Sequence, residues 1–228
     1  MKTKAPALVI TCEHASNAVP VFLARKFAAT GTAGIPKEVL ESHRGYDIGA
    51  YGAYRRLVRM LHPDFYIAGK YSRLVVDLNR SENHPGLLSK YTQDLDSDTR
   101  EKILEIWKRH HDAVESFVAK AVAEGSSSTK NPAAPRVIHL GIHSFTPVLN
   151  NVVRNADIGI LYDPSREAET RIASSIIEEI RNRAPGLRIR RNYPYLGKSD
   201  GLTTSLRKKF GPAYAGIEIE INQKLFPG

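Results

Sequence analysis

The 228-residue chain predicts one α/β domain of three layers, a mixed sheet with helices on both faces. Three observations predict it. Short runs rich in β-branched residues alternate with longer amphipathic stretches along the whole sequence. The length suits a single full-sized domain with a substantial core and is short for two. No internal repeat and no long linker divides it, so residues 1–228 read as one unit.

The elements follow in order. Residues 7–12, Ala-Leu-Val-Ile-Thr-Cys, form the first strand, and a helix begins near Val21 after a loop from Glu13 to Pro20. Residues 47–61 place Ile48, Tyr51, Leu57 and Leu61 at helical spacing. Phe65 to Ala68 and Leu74 to Leu78 read as strands. A long helix starts near Asp98, where Asp98-Thr99-Arg100-Glu101 has a capping-box pattern. Its inward stripe is Ile103, Trp107, His110, Val114, Phe117 and Ala121. Gly125 to Pro132 is the one low-complexity stretch, leading to a strand at 136–142. Asp163-Pro164 supplies a cap and a first-turn proline for a helix that turns Ile172, Ile176, Ile177 and Ile180 inward. A strand near 187–191, a loop through Gly201, a short helix and a final strand at 215–221 complete the chain.

Composition excludes several classes. Hydrophobic residues make up 42% and charged residues 25%, ordinary values for a soluble globular protein. No apolar run approaches the length of a membrane span, and the N-terminus lacks a signal peptide's pattern, so a cytoplasmic protein without a membrane partner is expected. Cys12 is the single cysteine, which leaves no intramolecular disulfide and no thiolate metal cluster. The net charge of +9 is spread over short clusters, Arg55-Arg56, Arg188 to Arg191 and Arg207-Lys208-Lys209. That distribution lacks the signature of a nucleic-acid binder and fits attraction of a small anionic substrate.

Ser72-Arg73-Leu74-Val75-Val76-Asp77-Leu78-Asn79-Arg80 is the most informative segment. Two guanidiniums at the ends of an apolar run suit a carboxylate ligand, because arginine offers a planar, permanently charged fork. Asp77 can orient one arginine and Asn79 can add a neutral donor. An Asp–Arg pair that merely ties down a strand end accounts for the segment as well.

Of eight histidines, His14 and His143 stand where α/β proteins gather ligands, beyond or near the carboxyl ends of strands. His139 reads as a hydrogen-bonded core histidine, while His62, His84, His110 and His111 read as helix-end or solvated residues. A catalytic zinc takes three ligands from histidine and carboxylate. Two histidines therefore call for a carboxylate, and Glu13 and Asp47 are the candidates. Glu218 and Glu220 share one face of the last strand and offer a base. The same Ile–Glu alternation also describes a solvated edge strand.

Four segments taken together resemble the N-formylglutamate amidohydrolase family: Cys12 to Asn17, His43 to Ala50, Ser72 to Arg80, and Glu218 to Gln223. They occur in the family's order over almost the whole length. The resemblance is to the shorter, predicted-amidohydrolase branch, and the family is related to zinc carboxypeptidases and aspartoacylases. It implies a zinc-carboxypeptidase-like (phosphorylase/hydrolase-like) domain and a zinc-dependent amidohydrolase cleaving the N-acyl, in particular N-formyl, bond of an acidic amino acid such as N-formylglutamate. By resemblance, Asp77-Leu78-Asn79-Arg80 is similar to the element that binds substrate carboxylate, and Arg73 to the arginine that grips substrate and polarises the scissile carbonyl. Ile142-His143-Ser144-Phe145 resembles the segment that supplies the later zinc histidine, and Glu220 takes the place of the general base. The relatives' His-x-x-Glu pair is broken here, because Asn17 stands three residues after His14. The implied zinc ligands are His14, His143 and Asp47, with Glu13 the next candidate for the third. A zinc exopeptidase acting on short peptides and a non-catalytic binding protein on the same fold are the alternatives.

Overall fold

The apolar runs of the chain become the strands of one sheet. The structure is a computed structural model that describes residues 5–27, 32–125 and 134–226. In chain order it has β1 (Ala7–Cys12), α1 (Val21–Lys26), α2 (Lys37–Leu40), α3 (Ala50–Leu61), β2 (Phe65–Ala68), α4 (Ser97–Gly125) and β3 (Val137–Phe145). It continues with β4 (Val148–Leu149), β5 (Val152–Val153), β6 (Ile158–Leu161), α5 (Glu167–Arg183), β7 (Ile189–Arg191), α6 (Leu202–Phe210) and β8 (Tyr214–Asn222). Six strands form a sheet in the order β2-β1-β3-β8-β6-β7, and β4 and β5 make a separate hairpin. β2, β1, β3 and β8 run parallel, whereas β6 is antiparallel to β8. The sheet is therefore mixed, as expected.

Both faces of the sheet are covered, which is why β1 and β3 can be apolar almost throughout. On one face α3 and α5 pack over Ile10, Leu140, Ile142, Ile160 and Ile217, with Ile172, Ile176, Ile177 and Ile180 of α5 turned inward as their spacing requires. On the other, α4 and α6 enclose Val9, Val114, Val118, Val137, Leu206 and Tyr214. A third cluster lies under the connections, where Val75, Val76 and Leu78 meet Leu23, Ile35, Leu40 and Ile103.

Leu74 to Leu78 is not a strand. It is a succession of turns whose apolar side chains are buried in the third cluster. Side chains satisfy its backbone in place of a sheet neighbour: Ser72 Oγ accepts from the Leu74 N–H, while Ser89 and Thr92 hydroxyls donate to the carbonyls of Leu74 and Val75. Smaller differences have equally local causes. α4 is capped two residues earlier than expected, with the Asp96 carboxylate accepting the Thr99 N–H at 3.0 Å. Asp163 opens a turn ahead of α5, whose N-cap is Arg166. The low-complexity residues 126–132 lie outside the described residues. His139 is the hydrogen-bonded core histidine expected, held by the hydroxyls of Thr11 and Tyr214 at 2.7 and 2.6 Å. His110 and His111, however, lie in the middle of α4, where His110 is buried and His111 stacks on Trp107.

Candidate active site

The carboxyl ends of the parallel neighbours β1, β3 and β8 lie side by side, and the predicted site residues gather there. His14 lies just past β1, and His143 lies on β3, which pairs with β1. Asp47 comes from the loop ahead of α3. That loop is pinned against β1 by a hydrogen bond from the Asp47 N–H to the His14 carbonyl at 2.9 Å. Two glycines allow its path. A Cβ at Gly45 would collide with the Leu40 carbonyl, and Gly49 has φ +82°, which disfavours any side chain.

The three side chains converge. Asp47 Oδ2 lies 2.9 Å from His143 Nδ1 and 3.5 Å from His14 Nδ1, and the rings meet edge to face at 5.2 Å. Each histidine turns its other nitrogen to an outer carboxylate. His14 Nε2 is 2.6 Å from Asp77 Oδ1, and His143 Nε2 is 3.1 Å from Glu13 Oε2. Glu13 thus stands behind His143, and His110 stands behind Glu13 at 3.8 Å. Glu13, His14, Asp47, Asp77, His110 and His143 are each at most 5% exposed.

Burial alone would raise the carboxyls of Asp47 and Asp77, but the neighbouring histidines and Arg73 outweigh it and hold both well below the usual carboxylate range. Glu13 is lowered in the same way against its burial, by His110 and His143. Burial and, for His14, the Arg73 charge oppose protonation of the two rings, yet the surrounding carboxylates raise both histidines, His143 strongly. The field therefore favours positive charge between the rings.

A divalent cation fits these residues. Two imidazoles and one carboxylate are the donor set of many catalytic zinc sites. Their ligand atoms lie within 4.8 Å of one another, and His14 Nδ1 is buried without a hydrogen-bond partner. Asp77 and Glu13 supply the carboxylate–histidine contacts that orient metal-binding imidazoles. Asn17 is not among the residues that line the cavity.

A cavity of about 320 Å³ opens over this group and is lined by His14, Asp47, His143, Arg73, Asn79, Arg80 and Glu220 among others. Every predicted site residue is on that wall. Arg73 donates to Asp77 Oδ2 at 2.8 Å and lies 3.6 Å from Asp47 Oδ1. Arg80 Nε lies 3.8 Å from Asp77, and Nη1 donates to the Asp200 carbonyl at 3.3 Å. The Asp–Arg tie and the pocket wall are thus the same residues. Asn79 Oδ1 accepts the Leu202 N–H at 2.9 Å, so its NH2 group remains for a ligand.

β8 is central in the sheet, between β3 and β6, so the solvated-edge reading of its glutamates fails. Glu220 pairs in register with His143, which places it on the neighbouring strand beside that ring. It is 5% exposed and its Oε2 has no hydrogen-bond partner. Burial, with the charges of Asp47 and Glu218 nearby, pushes its carboxyl up to about 8 against the pull of His143. Glu218 instead accepts from the Thr203 hydroxyl at 2.9 Å.

The family model described as N-formylglutamate amidohydrolase matches residues 6–226. The chain belongs to the N-formylglutamate amidohydrolase family. Its fold is similar to the crystal structure of gene product Atu2144 from Agrobacterium tumefaciens, with a TM-score of 0.74 and 30% identity over 96% of this chain and 82% of that one. No curated protein matches the chain. Membership makes the chain a hydrolase-family protein directed at amide bonds. Among the described residues no helix is long and apolar enough to cross a membrane.

Sequence reasoning about this amidohydrolase missed three kinds of residue. Glu13 was weighed only as a ligand, although its place behind His143 gives it a supporting contact. His110 was assigned no function; its buried position on the inward stripe of α4 was the available signal. His43, Arg154 and Tyr195 also line the cavity. His43 lies in the matched His43–Ala50 segment, whereas nothing in the sequence singled out Arg154 or Tyr195.

Proposed function

We propose that the protein is a metal-dependent amidohydrolase that cleaves the N-acyl, in particular the N-formyl, amide bond of an acidic amino acid such as N-formylglutamate. One observation carries this reading: a His–Asp–His group, an unpartnered carboxylate and three arginines line a single small cavity. A divalent cation, zinc by its donor preferences, would be held by His14, Asp47 and His143 and would supply Lewis acidity toward the acyl carbonyl and water.

The chain's own groups account for the rest. Glu220 Oε2 takes a proton from the attacking water and delivers it to the departing nitrogen. Burial raises the carboxyl, which makes its ionised form a stronger base than a solvated carboxylate. Arg73 faces the carbonyl oxygen as negative charge develops there, with its fork oriented by Asp77. The Asn79 amide and Arg80 hold a carboxylate of the substrate. Arg73 Nη2 donates to Asp77 and leaves its remaining N–H groups for the ligand. A cavity of about 320 Å³ is at the small end of ligand pockets and suits an amino-acid derivative better than a peptide.

The products would be formate and the free amino acid. The test is formate release from N-formylglutamate by purified protein, before and after dialysis against a chelator. Chelator-sensitive release is the expected result, and no release from any N-acyl amino acid would overturn the reading.

A further inference from the structure

The cavity wall carries a third arginine that the mechanism leaves unused. Arg154 follows β5 and lines the same cavity as Asn79 and Arg80, from a different segment of the chain. Arg73 and Arg80 both lie near Asp77, but Arg154 forms no ion pair among the described residues. Its Nη1 donates to the Tyr195 hydroxyl at 3.2 Å. Its guanidinium stands 5.2 Å from the Tyr195 ring centre and 5.9 Å from that of Phe145.

This position is built rather than incidental. The Arg154 N–H donates to the Pro147 carbonyl at 2.8 Å, and the next N–H donates to the Tyr193 hydroxyl at 3.0 Å. Phe145 lies two residues beyond His143 on β3, on the same face of the strand and about 7 Å along it. The guanidinium near that ring and the histidine group line one cavity. Of the acidic groups on the wall, Asp47 meets the two histidines, Asp200 accepts the Ser81 N–H, and Glu218 accepts the Thr203 hydroxyl. Neither they nor Glu220 pairs with Arg154 among the described residues. His43, also on the wall, is lowered by partial burial and then by the charges of Arg44, Arg154 and Arg73, so protonation there is disfavoured.

We propose that Arg154 is a specificity residue that binds the second, side-chain carboxylate of a dicarboxylic N-acyl amino acid whose first carboxylate lies against Asn79 and Arg80. The identity of the ligand rests on the functional reading above; the place of Arg154 on the cavity wall does not. The competing role is a strut, with Arg154 clasping the β4–β5 hairpin to the loop that carries Tyr195.

Calorimetric titration with glutarate and with butyrate separates the two roles, because the ligands differ by one carboxylate. Wild-type protein prefers glutarate, and Arg154→Gln lowers that preference roughly 10- to 150-fold, the range for hydrogen bonds to a charged group. Arg154→Lys restores part of it, since charge returns without the fork. Arg154→Met, which keeps packing against both rings, replaces the Gln variant if that variant unfolds. Equal weakening of both ligands, an unchanged preference in the variant, or no preference in wild-type protein overturns the proposal. Turnover of N-formylglutamate keeps its failure distinct from that of the function. Hydrolysis by wild type with an Arg154-independent preference sinks the anchor alone. An Arg154-dependent preference without hydrolysis of any N-formyl amino acid sinks the function alone.

Discussion

Replacing Asp77 with Asn separates a residue that supports a metal site from one that only ties down a loop. The Asp77 carboxylate receives Arg73 Nη2 at 2.8 Å and the Asn79 N–H at 3.0 Å, and meets His14 Nε2 at 2.6 Å, while 5% exposed. Asn preserves the shape and one oxygen, which can still accept from His14 and Asn79. It loses the oxygen facing Arg73 and all of the negative charge. Losing one charge-assisted hydrogen bond costs about 1.5–3 kcal/mol of stability in the cation-free protein. Loss of a carboxylate behind a metal-binding histidine lowers metal affinity about 10- to 100-fold. Competition with a chromophoric chelator reads the affinity, and thermal unfolding of chelator-treated protein reads the stability. Reduced stability with unchanged affinity refutes the support role and leaves Asp77 as a structural tie.

Three further outcomes follow from the same geometry. Glu220→Gln should lower kcat by about two to four orders of magnitude while cation occupancy persists, because the residue gives up a proton acceptor and no ligand; near-normal turnover removes it from the mechanism. Arg80→Lys should raise KM for a carboxylate substrate with the protein still folded, since the planar fork is lost; an unchanged KM in the folded variant argues for a structural role. Burial lowers His139 to about 4, against about 6.5 in the unfolded chain. Its contribution is present above pH 6.5 and is lost as pH falls toward 4, for up to about 3 kcal/mol in total. His139→Gln should flatten the stability–pH slope between those values by about 1.4 kcal/mol per pH unit, as measured by denaturant titration.

Much of the site was legible because strand alternation and chain order act locally. The apolar runs at 7–12 and 136–142 could be read as strands, and parallel pairing brings His14 and His143 together at their carboxyl ends. Asp47 was reachable because a carboxylate had to complete the donor set and Asp47 lies in the His43–Ala50 segment that resembles the family. What remained hidden depended on tertiary contacts. Leu74-Val75-Val76 has the composition of a strand, but hydroxyls of Ser72, Ser89 and Thr92 satisfy its backbone, and periodicity cannot detect such partners. Ile–Glu alternation on β8 looks the same at an edge as in the centre, and only its pairing with β3 and β6 decides. Arg154 sits on a hairpin of two-residue strands, too short to carry any pattern.

The central claim is that His14, Asp47 and His143 hold one catalytic cation. The most direct measurement is the metal content of purified wild-type protein and of Asp47→Ala by elemental analysis. The account predicts close to one zinc per wild-type chain and marked loss from Asp47→Ala, since two neutral imidazoles alone lack the charge to retain it. Wild-type protein that takes up no divalent cation even when zinc is supplied, or full occupancy in the Asp47 variant, would contradict it.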